Sequence, residues 1–204
     1  MPDCEFFAKF GLFVRRDFLD PALCVQLQHE INASPDVEAT SINGDKVVYG
    51  EGRSTRLARV PSATASIVEK RLRAVQLAVA THFNVTLADV EGPQFLRYRK
   101  GDYFGAHIDG RPSDDVHDPS FRFLSKRQVS CVIFLNGSSK PQEESSYRGG
   151  ELTFYGLFKD PRAEKLGLPL IGDQGLLIAF KSDCLHEVKA VSQGERYTVV
   201  SWYT

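Results

Sequence analysis

Two side chains that can bind a metal lie two positions apart in the run FGAHIDG. They are the imidazole of His107 and the carboxylate of Asp109. In a β-strand the two-residue alternation places both on one face. A third ligand from elsewhere would complete a facial triad, which leaves part of the metal's coordination sphere open, and His186 in the run DCLHEV is the candidate. The alternative is a surface histidine beside a turn aspartate, because H-x-D alone is a weak pattern.

A guanidinium group follows in the run RYTVVSWY, ten residues after His186. Alternation along a strand places Arg196 and Thr198 on the same face. If HEVKAV and RYTVV pair as strands, Arg196 comes near the candidate metal site. Its guanidinium group can bind a carboxylate through two parallel hydrogen bonds, and the hydroxyl of Thr198 can add a third. The alternative is that Arg196 forms a surface ion pair.

The elements that must position these residues are predicted in two halves. Asp20-Pro21 predicts the start of a helix that ends before Ser34-Pro35, and a second helix is predicted from Ser62. From Gln94 onward the sequence predicts short strands, which favour an antiparallel sandwich or barrel, of which the jelly roll is one form. These strands are QFLRYR, FGAHID, RQVSCVIFL, GELTFY, GLLIAF, HEVKAV and RYTVVSWY.

The predicted fold class is therefore α+β: a double-stranded β-helix, or cupin-like jelly roll, with supporting N-terminal helices. One domain is expected over residues 1–204, since a chain of this length can bury one sizeable core. Residues 1–93 would supply helical support and a substrate loop, and residues 94–204 the jelly-roll core. Loops are predicted over 34–59, 110–126 and 136–148.

The composition limits which partners and which cellular compartment are expected for this chain. The 25 basic and 26 acidic residues nearly cancel, which disfavours nucleic acid as a partner. No apolar run is long enough to span a membrane, and the N-terminus does not read as a secretory signal. The four cysteines form no C-x-x-C pair and are predicted to be reduced thiols. A cytoplasmic protein is expected.

Five ordered blocks between Phe95 and Tyr203 resemble the prolyl 4-hydroxylase-like 2-oxoglutarate and Fe(II)-dependent dioxygenases. The order of all five is more specific than any one block. They are FLRYRKGDYFGAHID, RQVSCVIFLN, YRGGELTFY, GLLIAFKSDCLHEV and GERYTVVSWY.

The resemblance implies roles for the candidate site residues. His107, Asp109 and His186 would be the catalytic iron ligands, and Arg196 would bind the distal carboxylate of 2-oxoglutarate. Tyr98 matches a tyrosine that also reaches this cosubstrate. Thr198 stands where the family often has serine, and it keeps the hydroxyl. The implied cofactors are Fe(II), 2-oxoglutarate and O2, with ascorbate as a candidate addition.

The substrate is less constrained than the iron site. Tyr49, Arg53 and Arg56 lie where the family gathers substrate-contacting residues, and Arg127 could also face the mouth of the site. Their positive charge suggests an anionic group on the substrate, and the alternative is a solvent-facing arginine cluster.

The resemblance implies hydroxylation of an unactivated C–H bond in an amino acid or peptidyl residue, with release of succinate and CO2. The partner would be a small-molecule or peptide substrate, with no membrane partner, and the protein a monomer or homodimer. Two alternatives are a nucleic-acid demethylase of the same superfamily and a non-catalytic metal-binding jelly-roll module.

Overall fold

The computed structural model describes residues 4–35, 37–38, 40–43, 46–49, 52–111, 119–138, 146–158 and 166–204. Helices and strands are numbered in chain order below. The helical elements are α1 (Cys4–Ala8), α2 (Pro21–Ala33), α3 (Ser62–Phe83) and a 3₁₀ helix (Pro119–Lys126).

Helix α2 begins and ends as its sequence predicts. The Asp20 carboxylate accepts a hydrogen bond from the backbone N–H of Leu23 at 2.9 Å, and Pro21 occupies the first turn, where its missing N–H costs nothing. At the other end, the Ser34 N–H donates to the carbonyls of Glu30 and Ile31. Both predicted helices are confirmed, and α3 begins at Ser62.

The larger sheet has seven antiparallel strands, with β16 near its centre. In spatial order the strands are β1 (Phe13–Arg15), β13 (Leu177–Lys181), β9 (Val129–Phe134), β16 (Arg196–Tyr203), β7 (Gln94–Tyr98), β6 (Arg56–Ala58) and β2 (Val37–Glu38).

The smaller sheet has five antiparallel strands and carries the H-x-D run. In spatial order they are β12 (Leu168–Leu170), β11 (Leu152–Phe154), β14 (His186–Val188), β8 (Tyr103–His107) and β5 (Arg53–Ser54). Two further pairs lie outside both sheets: β3 (Thr40–Asn43) with β4 (Lys46–Tyr49), and β10 (Arg148–Gly149) with β15 (Val191–Gln193).

The apolar core has two parts, one on each face of the larger sheet. On one face, Leu27 of α2 and Leu72 of α3 join Val199 of β16 in a buried cluster. On the other face, Phe134 of the larger sheet joins Phe154 of the smaller one in the second cluster. Burial of apolar area on both faces is the main force that holds the helices and two sheets together. The predicted jelly roll with supporting helices is confirmed.

The segment between α2 and α3 differs from its prediction. A loop was expected over residues 34–59, but the described part contains β2 to β6. These strands have two to four residues each, too few for alternation to be recognised in the sequence. The N-terminal half therefore adds edge strands to both sheets as well as helices. Similarly, the predicted loop 110–126 ends in the 3₁₀ helix, and its His117 lies outside the described residues.

Two further expectations concern membrane-spanning segments and cysteine chemistry. Within the described ranges, no helix combines the length and apolar character needed to cross a bilayer. Cys24, Cys131 and Cys184 are free thiols. Burial raises the pKa of Cys184 to about 11 and that of Cys24 to about 12, so both are in the unreactive thiol form at neutral pH.

Replacing Asp20 with alanine is expected to lower the free energy of unfolding by about 1 kcal/mol, because the Leu23 N–H loses its partner. Urea denaturation measures this change. Asp20→Asn keeps the acceptor but removes the charge that lies 3.9 Å from Arg71, so it should retain most of the stability. An equal loss in both variants would show that the charge, and not the cap, stabilises the helix.

Candidate metal centre

The pairing of β8 with β14 brings the two candidate histidine ligands together. His107 and His186 are direct partners across this antiparallel pair. Asp109 follows the end of β8, where its backbone N–H donates to the carbonyl of Ser182 at 2.9 Å. One ligand atom from each of the three side chains lies within 4.8 Å of the other two. Among the residues that the structure describes, this is the one such group of three.

Each histidine is fixed in one tautomer by the same local contact. Nδ1 of His107 lies 2.8 Å from the carbonyl oxygen of Gly105, and Nδ1 of His186 lies 2.9 Å from that of Cys184. A carbonyl oxygen can only accept, so Nδ1 must carry the proton in both rings. Nε2 of each ring therefore presents a lone pair, which is the form that binds a metal.

The protonation states of the buried groups also suit a metal. Burial opposes ionisation of Asp109, but the neighbouring His186 and His107 hold the pKa of its carboxyl well below the usual range. Burial lowers the pKa of His186 to about 4, despite the attraction of the Asp109 charge. At neutral pH the site thus contains an ionised carboxylate and a neutral His186, as metal binding requires.

The three side chains are better arranged to coordinate a divalent cation than to interact directly with one another. Nε2 of His107 lies 3.5 Å from Oδ1 of Asp109, and Nε2 of His186 lies 3.7 Å from Oδ2. In the neutral tautomer that carries its proton on Nδ1, each ring sets the lone pair of Nε2 against a negatively charged oxygen in these contacts. A cation between them turns repulsion into coordination. Two imidazoles and one carboxylate, with other positions left open, form the donor set that suits Fe(II).

One cavity of about 1030 Å³ connects this group with the predicted cosubstrate residues. Its walls include His107, Asp109 and His186 together with Tyr98, Arg196 and Thr198. The volume lies at the upper end of the range of roughly 300–1,000 Å³ for small-molecule sites, which leaves room for a cosubstrate and part of a substrate.

Arg196 is buried in this cavity without a carboxylate among its recorded partners. Its Nη1 donates to the hydroxyl of Thr198 at 3.3 Å, while Nε and Nη2 have no hydrogen-bond partner among the described residues. The guanidinium carbon lies 5.0 Å from the ring centroid of Tyr98 and 5.1 Å from that of Phe134. A buried cation is costly unless it is paired. A carboxylate ligand would supply the missing charge and acceptors, so Arg196 fits one end of a dicarboxylate.

The family model for the 2OG-Fe(II) oxygenase superfamily matches residues 93–204, more than half of the chain. The chain belongs to this superfamily. A PKHD-type hydroxylase of Prochlorococcus marinus (strain MIT 9215) is 34% identical over 113 residues, which cover 55% of this chain and 41% of the relative. The chain thus spans about two fifths of the length of the curated relatives it matches.

Solved structures share the fold of this chain over nearly its whole length. A prolyl-4-hydroxylase of Pseudomonas putida superimposes with a TM-score of 0.67 at 20% identity, covering 98% of this chain and 95% of its own. A Trichoplax adhaerens prolyl hydroxylase, in complex with a hypoxia inducible factor peptide fragment, superimposes with a TM-score of 0.68 at 17% identity. Coverage is 98% of this chain and 86% of that one. At these identities the likeness concerns the fold.

The predicted substrate residues of this chain divide into three groups. Arg53 and Arg127 line the cavity. Arg56 is not among the described residues of its wall; the neighbouring Leu57 is, and strand alternation turns Arg56 to the opposite face. The side chain of Tyr49 lies outside the described part of the chain.

Arg127 is neutralised by a carboxylate of the protein. Its Nε and Nη2 donate to the two oxygens of Glu91, each at 2.7 Å, and its guanidinium carbon lies 3.6 Å from the ring centroid of Trp202. This paired and stacked arginine therefore shapes the cavity wall and adds little net charge for an anionic substrate.

Sequence reasoning missed residues that support Arg196. The side chain of Asn136 accepts a hydrogen bond from the N–H of Tyr197 and donates one to the carbonyl of Glu195, which fixes the backbone on both sides of Arg196. Gly150 has a φ of +64°, and a Cβ there would lie 3.0 Å from Cδ of Arg196.

Tyr147 was also missed. Its buried ring lies beside both Gly150 and Arg196, and burial raises the pKa of its hydroxyl. In the sequence, the two glycines of YRGGEL indicate such a contact only if they are interpreted as leaving space for a neighbouring side chain.

Removal of either ligand at the solvent side of the centre is expected to abolish tight metal binding. Asp109→Ala and His107→Ala should each lower Co(II) affinity by more than about 100-fold, beyond the loss typical of residues that only support a ligand. Calorimetric titration of the metal-free protein measures the affinity, and its thermal unfolding should change little. His29→Ala, on the exposed face of α2, is the control. Unchanged affinity in the Asp109 variant would remove this residue from the centre.

Proposed function

We propose that this oxygenase is an Fe(II)- and 2-oxoglutarate-dependent hydroxylase. It would insert one atom of O2 into an unactivated C–H bond of an amino acid or peptidyl residue, while 2-oxoglutarate becomes succinate and CO2. The observation that carries the proposal is that three metal-binding atoms and the unpaired nitrogens of Arg196 share one cavity. Membership of the superfamily supports the same chemistry.

Each residue of the cavity has a defined task in this proposal. His107, Asp109 and His186 would hold Fe(II), which with bound 2-oxoglutarate and O2 supplies the oxidising power for C–H cleavage. Arg196 would bind the distal carboxylate of 2-oxoglutarate through its free nitrogens, with the hydroxyl of Thr198 beside it. Tyr98 lies directly opposite Arg196 on β7, and its ring covers the guanidinium group. The protein thus positions the cosubstrate, and the cofactor performs the oxidation.

The apolar walls of the cavity support an oxidation that must be kept from water. Leu96 and Val132 project from the larger sheet, and Leu152 and Val188 from the smaller one, between the metal ligands and the core. Exclusion of water strengthens the ion pair expected between Arg196 and the cosubstrate and limits side reactions of the oxidant.

A peptidyl residue is the substrate that we favour over a free amino acid. Four exposed apolar side chains stand on the described wall of the cavity: Val37, Ile108, Phe123 and Leu185. Apolar groups exposed together mark a surface that binds another molecule. The fold neighbour from Trichoplax adhaerens was solved with a peptide fragment.

Ascorbate, if required, would act as a reductant that restores Fe(II) between turnovers.

A screen of peptides and free amino acids tests the reaction directly. Incubation with Fe(II), 2-oxoglutarate and O2, with and without ascorbate, is expected to give a product heavier by one oxygen atom and an equal amount of succinate. The Asp109→Ala variant is the matched control and should give neither. Tight metal binding without substrate-dependent succinate release on any candidate would favour a non-catalytic metal-binding module. Loss of a methyl group from nucleic acid would favour the demethylase alternative.

Arg196→Ala is expected to raise the 2-oxoglutarate concentration needed for half-maximal succinate release by at least about 100-fold, since a buried charge pair contributes roughly 3 kcal/mol or more. Arg196→Lys keeps the charge but not the two-pronged geometry and should show an intermediate loss. Co(II) affinity measured without 2-oxoglutarate should not change in either variant. An unchanged cosubstrate titration in the alanine variant would remove Arg196 from this role.

A further inference from the structure

Phe104 is stacked on the metal-facing histidine of its own strand. The ring centroids of Phe104 and His107 are 3.5 Å apart and the ring planes differ by 14°. This is direct face contact over the whole imidazole. Phe104 lines the same cavity as the three candidate metal ligands, so the stack lies within the site and not in the core behind it.

The other side of the Phe104 ring is covered by a cation. The guanidinium carbon of Arg53 lies 4.4 Å from the ring centroid, and Arg53 pairs directly with Phe104 where β5 joins β8. A guanidinium group over an aromatic face is attracted to it, the more so when it is shielded from water. Burial lowers the pKa of Arg53, which agrees with such shielding. Arg53, Phe104 and His107 therefore form a continuous stack of three planar groups.

His107 needs this support more than His186 does. The ring of His186 is buried and packs against Phe180, with centroids 4.6 Å apart, and Phe154 lies beyond it. The side chain of His107 is 19% exposed, compared with 5% for His186. The hydrogen bond from Nδ1 to Gly105 fixes the tautomer of His107, but one bond leaves the ring free to tilt about it. Contact with the face of Phe104 removes that freedom.

We infer that Phe104 and Arg53 are positioning residues for His107, because their stack holds the imidazole in the plane that aims Nε2 at the metal. The inference depends on the metal centre of the proposed function but not on any substrate. It assigns Arg53 a structural task at the iron site in place of, or in addition to, contact with substrate. Binding of a metal is the property that this stack should change.

Co(II) titration of the metal-free protein tests the stack without turnover, because the visible absorption of Co(II) reports both affinity and ligand geometry. Phe104→Leu keeps an apolar side chain but removes the ring, and it should lower Co(II) affinity by about 10-fold, the scale seen when a supporting partner of a metal ligand is lost. Its absorption bands should also change shape. Phe104→Tyr keeps the ring face and should restore both properties.

Tyr103→Leu is the matched control on the same strand. Tyr103 is 38% exposed, and alternation turns it to the opposite face of β8 from Phe104. The substitution removes an aromatic ring from β8 without touching the stack, so Co(II) affinity should stay at the wild-type value. An equal loss in the Tyr103 and Phe104 variants would assign the effect to general weakening of the strand and would overturn the inference.

Arg53→Met provides a second test that does not remove a ring from the cavity wall. The charges of Arg53 and Asp109 attract each other directly, and loss of this positive charge alone should strengthen Co(II) binding. A few-fold fall in Co(II) affinity would therefore come from the lost support of the ring, and adding Arg53→Met to Phe104→Leu should cause no further fall. If circular dichroism shows that Phe104→Leu does not fold, the Co(II) titration of Arg53→Met tests the inference by itself.

Wild-type affinity and spectrum in folded Phe104→Leu, or in Arg53→Met where that variant decides, would overturn the inference. If the wild-type protein itself binds no Co(II), the inference and the proposed iron site fail together. Normal Co(II) binding that responds to these variants, without hydroxylation of any substrate, would support the stack and count against the proposed function alone.

Discussion

The register between β8 and β14 is the constraint on which the whole centre depends. His107 faces His186 across this pair, and the side-chain period of a strand is two residues. A slip of one residue would therefore turn one imidazole to the opposite face of the sheet. The register shifts between this pair and the next one, Val188 with Phe104, because the two pairs are two residues apart on β14 but three residues apart on β8. Such irregularities commonly redirect a strand beside a functional site.

Strand β16 couples the stability of the fold to the cavity that contains Arg196. Arg196, Thr198, Val200 and Trp202 line the cavity, while the alternate residues Tyr197, Val199 and Tyr203 pack in the cluster under the helices. The burial that holds the helices in place therefore also fixes the direction of the Arg196 guanidinium group. This explains how a cation can remain buried with two unpaired nitrogens: the energy that orders the strand comes from its other face.

The sequence was most informative where a pattern has a local physical cause. The alternation in RYTVVSWY and the cap at Asp20 each reflect the geometry of a single element, and the structure has these elements where they were predicted. The prediction that HEVKAV pairs with RYTVV was wrong: β14 pairs with β8 and β11, whereas β16 pairs with β7 and β9 in the other sheet. Asp109 lies two residues beyond the end of β8, so its position depends on the turn that follows the strand. Asn136 and Tyr147 were missed because their importance arises from contacts with residues far away in the chain. A stack such as that of Arg53 on Phe104 depends on strand pairing between segments fifty residues apart, and no periodicity within either segment encodes it.

Segment 53–58 shows why the predicted loop is part of the site. Its first two residues form β5 at the edge of the smaller sheet, and Arg56–Ala58 form β6 in the larger one. The residue between them, Thr55, is fully buried and donates to the carbonyl of Arg97 at 3.0 Å. Ser54 donates to the Asp102 carboxylate at 2.6 Å. The segment therefore joins both sheets beside the cavity. Arg53 begins this connection and contacts the ring of Phe104, which stacks on His107, so the link between the two sheets ends at the candidate metal centre.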